Sequence, residues 1–249
     1  MCLYTYVYVY DRIELTVTES LNVELDRDHT MTKFEVKGNF EVVVNNPDCS
    51  KCVIHTGVDP NAKLSLGRVK WNLHPRMDEA NWKQGILALK DADKSFRIGR
   101  ACKTSILRWR LTSTKEEAIP IRIEFWPETE LNKIRVNATY SVEREEVQLK
   151  NVIINFPTPL RFFIFIIFAF ELRWIIGDVA TDAKGSFEYR LENCELEGLW
   201  PVTAHFDIEP MYSGMSVAKV TLQGNESTEF QFDVKAFCHA ETYRLGEAS

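Results

Sequence analysis

The sequence predicts an all-β chain, on three observations. Apolar and polar residues alternate with a period of two along most of its length, the alternating runs are separated by compact turn clusters, and no long amphipathic helical pattern or βαβ rhythm interrupts them. Because successive side chains of a strand point to opposite faces, such alternation marks strands with one buried and one solvated side.

Taken in order, Tyr4 to Tyr10 alternates Tyr and Val and reads as a strand. Ile13, Leu15 and Val17 define the apolar face of the next, and Phe40, Val42 and Val44 that of a third. Asn45-Asn46-Pro47-Asp48 and Asp59-Pro60-Asn61 then supply turn chemistry, since Asn and Asp side chains bond to the backbone ahead of them and Pro fixes φ. The spacing predicts one helical turn over Pro75 to Lys83, with Pro75 at its first position and Met77, Ala80 and Trp82 on its apolar side. Ser113 to Glu117 is a polar break between two strongly β segments and the best crossing point between two lobes. Ile119, Ile121, Ile123 and Phe125 form one further strand face, Ile134, Val136 and Ala138 another, and Gln223-Gly224-Asn225 a late turn. The turn spacing suits antiparallel meanders and Greek keys.

At 249 residues the chain is long enough for one large β domain or two β-sandwich lobes. A net charge of −6 gives no bulk attraction to phosphate backbones, so nucleic acid is not an expected partner. The six cysteines are scattered through a chain too large to need disulfide staples, and they read as free thiols of a reducing compartment. The start lacks a basic region and a small-residue cleavage site, so no signal peptide is read there. Leu160 to Phe170 is the most apolar stretch, but Arg161, Glu171 and Arg173 confine it well below the roughly 20 residues of a membrane helix. Its aromatic and β-branched content predicts a buried strand, or an insertion that would be sticky if exposed.

No pattern of catalytic residues stands out, and no enzyme activity is expected. There is no Gly-x-Ser-x-Gly elbow, no His-Glu-x-x-His and no phosphate-cradling glycine loop. His29, His55, His74, His205 and His239 fall in different elements without ligand spacing. Cys49-Ser-Lys-Cys52 lacks the second ligand pair that a structural zinc site requires, so no metal or cofactor is expected. Asn137-Ala-Thr139 and Asn225-Glu-Ser227 match the glycosylation pattern by chance in a chain read as intracellular, and paired glutamates such as Glu116-Glu117 and Glu145-Glu146 read as a solvated face. Trp71, Trp82, Trp109, Trp126, Trp174 and Trp200 are core packers first, although an aromatic with a free edge beside basic residues also builds peptide grooves.

One ordered series of motifs goes further. Trp71-Asn-Leu-His-Pro-Arg-Met-Asp78, Ile86-Leu-Ala-Leu-Lys90, Lys94-Ser-Phe96, Leu107-Arg-Trp-Arg-Leu111, Ile119-Pro-Ile121 and Trp126-Pro127 resemble, in order and spacing, the blocks of the coatomer delta family's mu-homology domain. Phe34-Glu-Val-Lys-Gly38 upstream, and Gly185-Ser-Phe-Glu188, Trp200-Pro-Val202 and Val217-Ala-Lys-Val220 downstream, extend the resemblance over residues 12–245. Two features depart from it. His29-Thr30 stands where the family has a glycine pair, so a left-handed backbone there must be replaced or strained. The Phe/Ile run and residues 1–11 have no counterpart.

The resemblance implies two elongated antiparallel β-sandwich lobes, the second inserted into the first: residues 12–117 plus 209–249 for lobe A, 118–208 for lobe B, and 1–11 as an extension outside the family. It also implies that the chain, without the family's longin domain, is one part of a larger subunit or a truncated gene model. The implied role is non-catalytic: a cytoplasmic vesicle coat, peripheral on Golgi membranes, serving Golgi-to-endoplasmic-reticulum transport. The implied partners are other coatomer subunits and tryptophan-containing peptides of tethering or coat-regulating proteins. The alternative within the wider family is a clathrin-adaptor mu-type subunit binding tyrosine-based sorting signals. A tryptophan reader needs an apolar slot for the indole and a polar or basic rim. Lys70, Trp71, His74, Arg76 and Trp82 offer those residue types within one segment and are the candidate site.

Overall fold

The computed structural model describes residues 13–61, 66–131, 133–160, 168–192 and 194–246, and these are dominated by strands. They are β1 (Ile13–Leu25), β2 (Met31–Val44), β3 (Cys52–Thr56), β4 (Arg68–Leu73), β5 (Ile86–Leu87), β6 (Thr104–Thr112), β7 (Arg122–Glu130), β8 (Lys133–Ser141), β9 (Gln148–Leu160), β10 (Phe168–Ala180), β11 (Lys184–Glu192), β12 (Val202–Glu209), β13 (Val217–Leu222), β14 (Asn225–Glu229) and β15 (Phe232–Leu245), with one short helix, α1 (Glu79–Trp82). An eight-stranded sheet runs in the order β10-β9-β12-β15-β1-β2-β6-β4. Two smaller sheets, β11-β8-β7 and β14-β13-β3-β5, complete the architecture.

The long strands serve two cores. Ile13, Leu15 and Val17 at the start of β1 pack with Phe40, Val42, Ile54, Leu87 and Ile106. Leu21, Val23 and Leu25 at its other end pack with residues of β7, β8 and β9, including Ile123, Val136 and Ile154. Each small sheet therefore closes over one half of the large one, in the face-to-face manner of a β-sandwich. The alternation read from Ile13, Phe40 and Ile134 is thus realised as inward-facing rows, whereas β7 begins only at Arg122 and Ile119 follows a 3-10 turn over Glu116–Ala118.

A buried carboxylate divides the two cores. Glu19 occupies the inward position between Val17 and Leu21 and is fully buried. It accepts hydrogen bonds from the Trp109 indole Nε1–H at 2.9 Å, the Ser213 amide at 3.0 Å and the Tyr212 amide at 2.7 Å. Three donors offset the desolvation that an unpaired buried charge would suffer. Two phenols reinforce the same junction: Tyr212 donates to the Ala118 carbonyl at 3.0 Å and Tyr243 to the Ile121 carbonyl at 2.8 Å.

Several expectations are corrected. β1 and β15 pair in parallel over their whole length, from Ile13 opposite Phe232 to Leu25 opposite Leu245, so the large sheet is mixed rather than purely antiparallel. The rest of the chain forms the long connection that parallel neighbours require. The helical turn starts later than Pro75: Asp78 is the cap, accepting from the Asn81 amide at 2.8 Å, and only residues 79–82 are helical. His29 does adopt the left-handed backbone, at φ 64°, where a glycine would be free of strain. Its ring compensates by accepting the Phe125 amide proton at Nε2 (3.0 Å) and lying 4.6 Å from the Trp126 ring. Of the apolar run, the flanks extend the β9–β10 hairpin, with Leu160 opposite Phe168, while residues 161–167 lie outside the described residues, as do residues 1–12. No helix among the described residues is long and apolar enough to cross a membrane.

Candidate functional site

Among the described residues, β4 is an edge strand, hydrogen-bonded to β6 alone. The His74 amide donates to the Ile106 carbonyl at 2.9 Å, one step beyond the pairing of Leu73 with Leu107. Antiparallel alternation then turns the amides of Asn72, Lys70 and Arg68 toward β6 and those of Leu73, Trp71 and Val69 outward. That outward row of unpaired backbone groups borders a groove of about 620 Å³ between β4 and the turn leading into α1, lined by Trp71, His74, Met77 and Trp82 among others.

The groove has an aromatic floor. Trp71 meets Trp82 edge-on at 5.3 Å between ring centroids and Trp109 at 5.6 Å. Trp82 is only 5 % exposed and belongs to the core, whereas Trp71 is half-buried and keeps part of its ring toward the groove. Gly38 makes this arrangement possible: a Cβ there would lie 1.8 Å from the Trp109 ring, so only glycine lets the indole lie flat across β2. The His74 Nδ1 accepts the Arg76 amide proton at 3.2 Å, which leaves the neutral ring's proton on Nε2.

Of the five residues singled out from the sequence, Trp71, His74 and Trp82 therefore line one groove. Lys70 projects from the opposite face of β4, and the Arg76 guanidinium is turned to the Ser95 carbonyl at 3.0 Å. What sequence reasoning missed is which strand forms the edge, and the arginines Arg68, Arg108 and Arg110 that share the face of Lys70. The alternations Arg68-Val-Lys70-Trp and Arg108-Trp-Arg110-Leu were the available signal: two adjacent strands with indoles on one face and cations on the other.

Among the described residues, a second open edge lies on β15. Residues Phe232 to Cys238 pair with β1 on one side, while β12 joins the other side only from His239 onward. Phe237 is 54 % exposed there, beside an apolar hollow of about 510 Å³ that includes Met211 and Met215. Elsewhere, burial pushes the Cys52 thiol up to about 12, and the described residues contain no cluster of three metal-ligating side chains.

Residues 5–163 match the model of the adaptor complexes medium subunit family. The chain is 26 % identical to the coatomer subunit delta of Arabidopsis thaliana and 21 % identical to the probable coatomer subunit delta of Caenorhabditis elegans, in each case over 94 % of its own length and 46 % of the relative's. It thus spans about half of the curated relatives it matches. Among solved structures, the yeast delta-COP-I mu-homology domain superposes with a TM-score of 0.77 at 20 % identity, covering 94 % of this chain and 98 % of that one. The same domain complexed with a Dsl1 WxWxV peptide gives 0.76 at 19 % identity, over 94 % and 98 % of the two chains. The Danio rerio Fcho1 mu homology domain with bound Eps15 peptide gives 0.64 at 11 %, over 96 % and 97 %. With the matched model spanning well over half of the chain and the fold that of the mu-homology domains, this protein belongs to the adaptor complexes medium subunit family.

Proposed function

We propose that the chain is the mu-homology domain of a coatomer delta-type subunit, a non-catalytic part of a cytoplasmic, Golgi-associated coat for Golgi-to-endoplasmic-reticulum transport. In this reading it binds short tryptophan-containing peptides of tethering or coat-regulating proteins, and the remainder of the subunit joins it to other coatomer subunits. The lobe division at residues 12–117 plus 209–249 and 118–208 is crossed by β1 and β2, whose two ends pack in different cores. The observation that carries the peptide reading is the aromatic-floored groove beside the free edge of β4.

The physics of that site is strand addition. An extended peptide laid along β4 pairs with the outward backbone groups of Val69, Trp71 and Leu73 and directs alternate side chains to the same face as Trp71. The WxWxV spacing of the peptide held by the yeast domain places its two tryptophans and its valine on one face of an extended chain. Such a face suits a slot that desolvates indoles, and the His74 Nε2–H offers a donor at its rim. Titration of a fluorescently labelled WxWxV peptide tests this: saturable binding that is lost in Trp71→Ala supports it, and unchanged affinity in that folded variant removes the groove from the site.

A second reading has its own support. The open edge of β15 with exposed Phe237 suits an extended peptide with an aromatic anchor, as a mu-type subunit reading tyrosine-based signals would need. A tyrosine-based peptide that binds, and loses affinity in Phe237→Ser but not in Trp71→Ala, would favour it.

A further inference from the structure

The face of the large sheet opposite the tryptophan groove carries a concentrated positive charge. Lys70 on β4, Arg110 on β6 and Lys37 on β2 stand directly opposite one another across three adjacent strands. Arg68 and Arg108 flank that row on the same face, because they lie two residues from Lys70 and Arg110. Glu35, buried on this face, is the carboxylate within ion-pair distance of Arg110 and Lys37. Arg68, Lys70 and Arg108 have no carboxylate at that distance among the described residues, although Arg108 donates to the Ser105 hydroxyl at 3.2 Å. Glu35 and Glu241 both draw on Lys37, so the uncompensated charge lies at the β4 side of the face, on Arg68, Lys70 and Arg108, in a chain whose net charge is −6. This surface therefore favours an anionic partner against the sign of the whole molecule.

The free edge of β4 gives that partner a geometry. A strand added to β4 points every second side chain toward Trp71 and the ones between toward Lys70 and its neighbours. We infer that the peptide bound at this edge is read on both faces: apolar anchors enter the groove, and acidic side chains at the intervening positions seat against Arg68, Lys70 and Arg108. This rests on the tryptophan-peptide reading and deepens it, since it makes the unspecified positions of a WxWxV pattern a source of specificity. The occupant is thus an extended segment alternating aromatic and acidic residues. A partner attracted by charge alone would not need the aromatic floor on the other side of the same strand.

Three labelled peptides test it, identical except that the two positions between the apolar anchors are Glu, Gln or Lys. On the wild-type chain the Glu peptide binds about three- to tenfold more tightly than the Gln peptide in low salt, as expected of one or two exposed charge pairs, and the Lys peptide binds more weakly than either. The difference shrinks at about 0.5 M salt. The double variant Lys70→Glu/Arg108→Glu reverses the order while still binding the Gln peptide, and Lys70→Gln/Arg108→Gln, the milder change, merely levels it. Equal affinities for all three peptides overturn the inference and leave the tryptophan reading standing. Binding by none of them overturns both. Vesicles containing phosphatidylserine form the last arm: if the wild type binds them, the reversed variant does not, and peptide charge has no effect, the face is a lipid contact and the inference fails.

Discussion

Glu19 gives the sharpest prediction about how this chain holds together. Its carboxylate is fully buried between the two cores and receives three donors, the Trp109 indole and the Tyr212 and Ser213 amides. Replacing it with Ala leaves all three without an acceptor, away from water. Each buried unpaired donor costs about 1–3 kcal/mol, so with partial relaxation the loss is on the order of 3–6 kcal/mol. That is a large share of the roughly 5–15 kcal/mol that stabilises an ordinary domain. Glu19→Gln is milder. Its amide oxygen can serve Trp109 and Ser213, which both bond to Oε1, but its NH₂ then confronts the Tyr212 amide, for a cost of about 1–3 kcal/mol. Urea unfolding followed by tryptophan fluorescence reads both variants through the shift in midpoint at constant slope. A Glu19→Ala midpoint within the equivalent of about 1 kcal/mol of wild type would refute the view that this carboxylate pins the junction.

Further consequences are open to test. Gly38→Ala puts a methyl group into the Trp109 ring, so it should displace that indole and, through the contact of Trp109 with Trp71, weaken peptide binding as well as lower the melting temperature. Burial holds the His29 imidazole below its ordinary value of 6.5, and its Nε2 accepts from Phe125, so the neutral ring is the folded form. The unfolded chain then takes up the proton first: the His29 contribution is fully present above about pH 6.5 and declines as pH falls through the window down to the lower folded value. His29→Gln should remove that portion of the pH dependence in melting experiments. Methylating the peptide amides that face β4 should abolish binding, while methylating the alternate amides should leave it intact.

Much of this fold was written in local patterns. The inward row of β1 is visible as Ile13, Leu15 and Val17, and the strands of the second core as Ile121 to Phe125 and Ile134 to Ala138, because a half-buried strand needs only a period of two. What escaped depended on partners distant in the chain. The parallel pairing of β1 with β15 joins residues more than 200 positions apart, and nothing in either strand alone sets its direction. The helix start was misplaced because Pro75 is a permissive first residue, whereas the Asp78 side chain supplies the actual cap. At the site, residue types were legible and orientation was not. Trp71, His74 and Trp82 do share a groove, but the side to which Lys70 points follows from its register with Arg110, and that of Arg76 from a bond to Ser95. The edge position of β4, on which the functional reading rests, is a property of sheet order that no single strand encodes.

The most direct test of that reading is a calorimetric titration of a WxWxV peptide into the wild-type chain and Trp71→Ala, with melting curves as the control for folding. The account predicts saturable one-to-one binding to the wild type and a loss of at least about tenfold in the variant, the effect of removing one aromatic contact from a small interface. No binding to the wild type, or equal affinity in a folded Trp71→Ala, would contradict it.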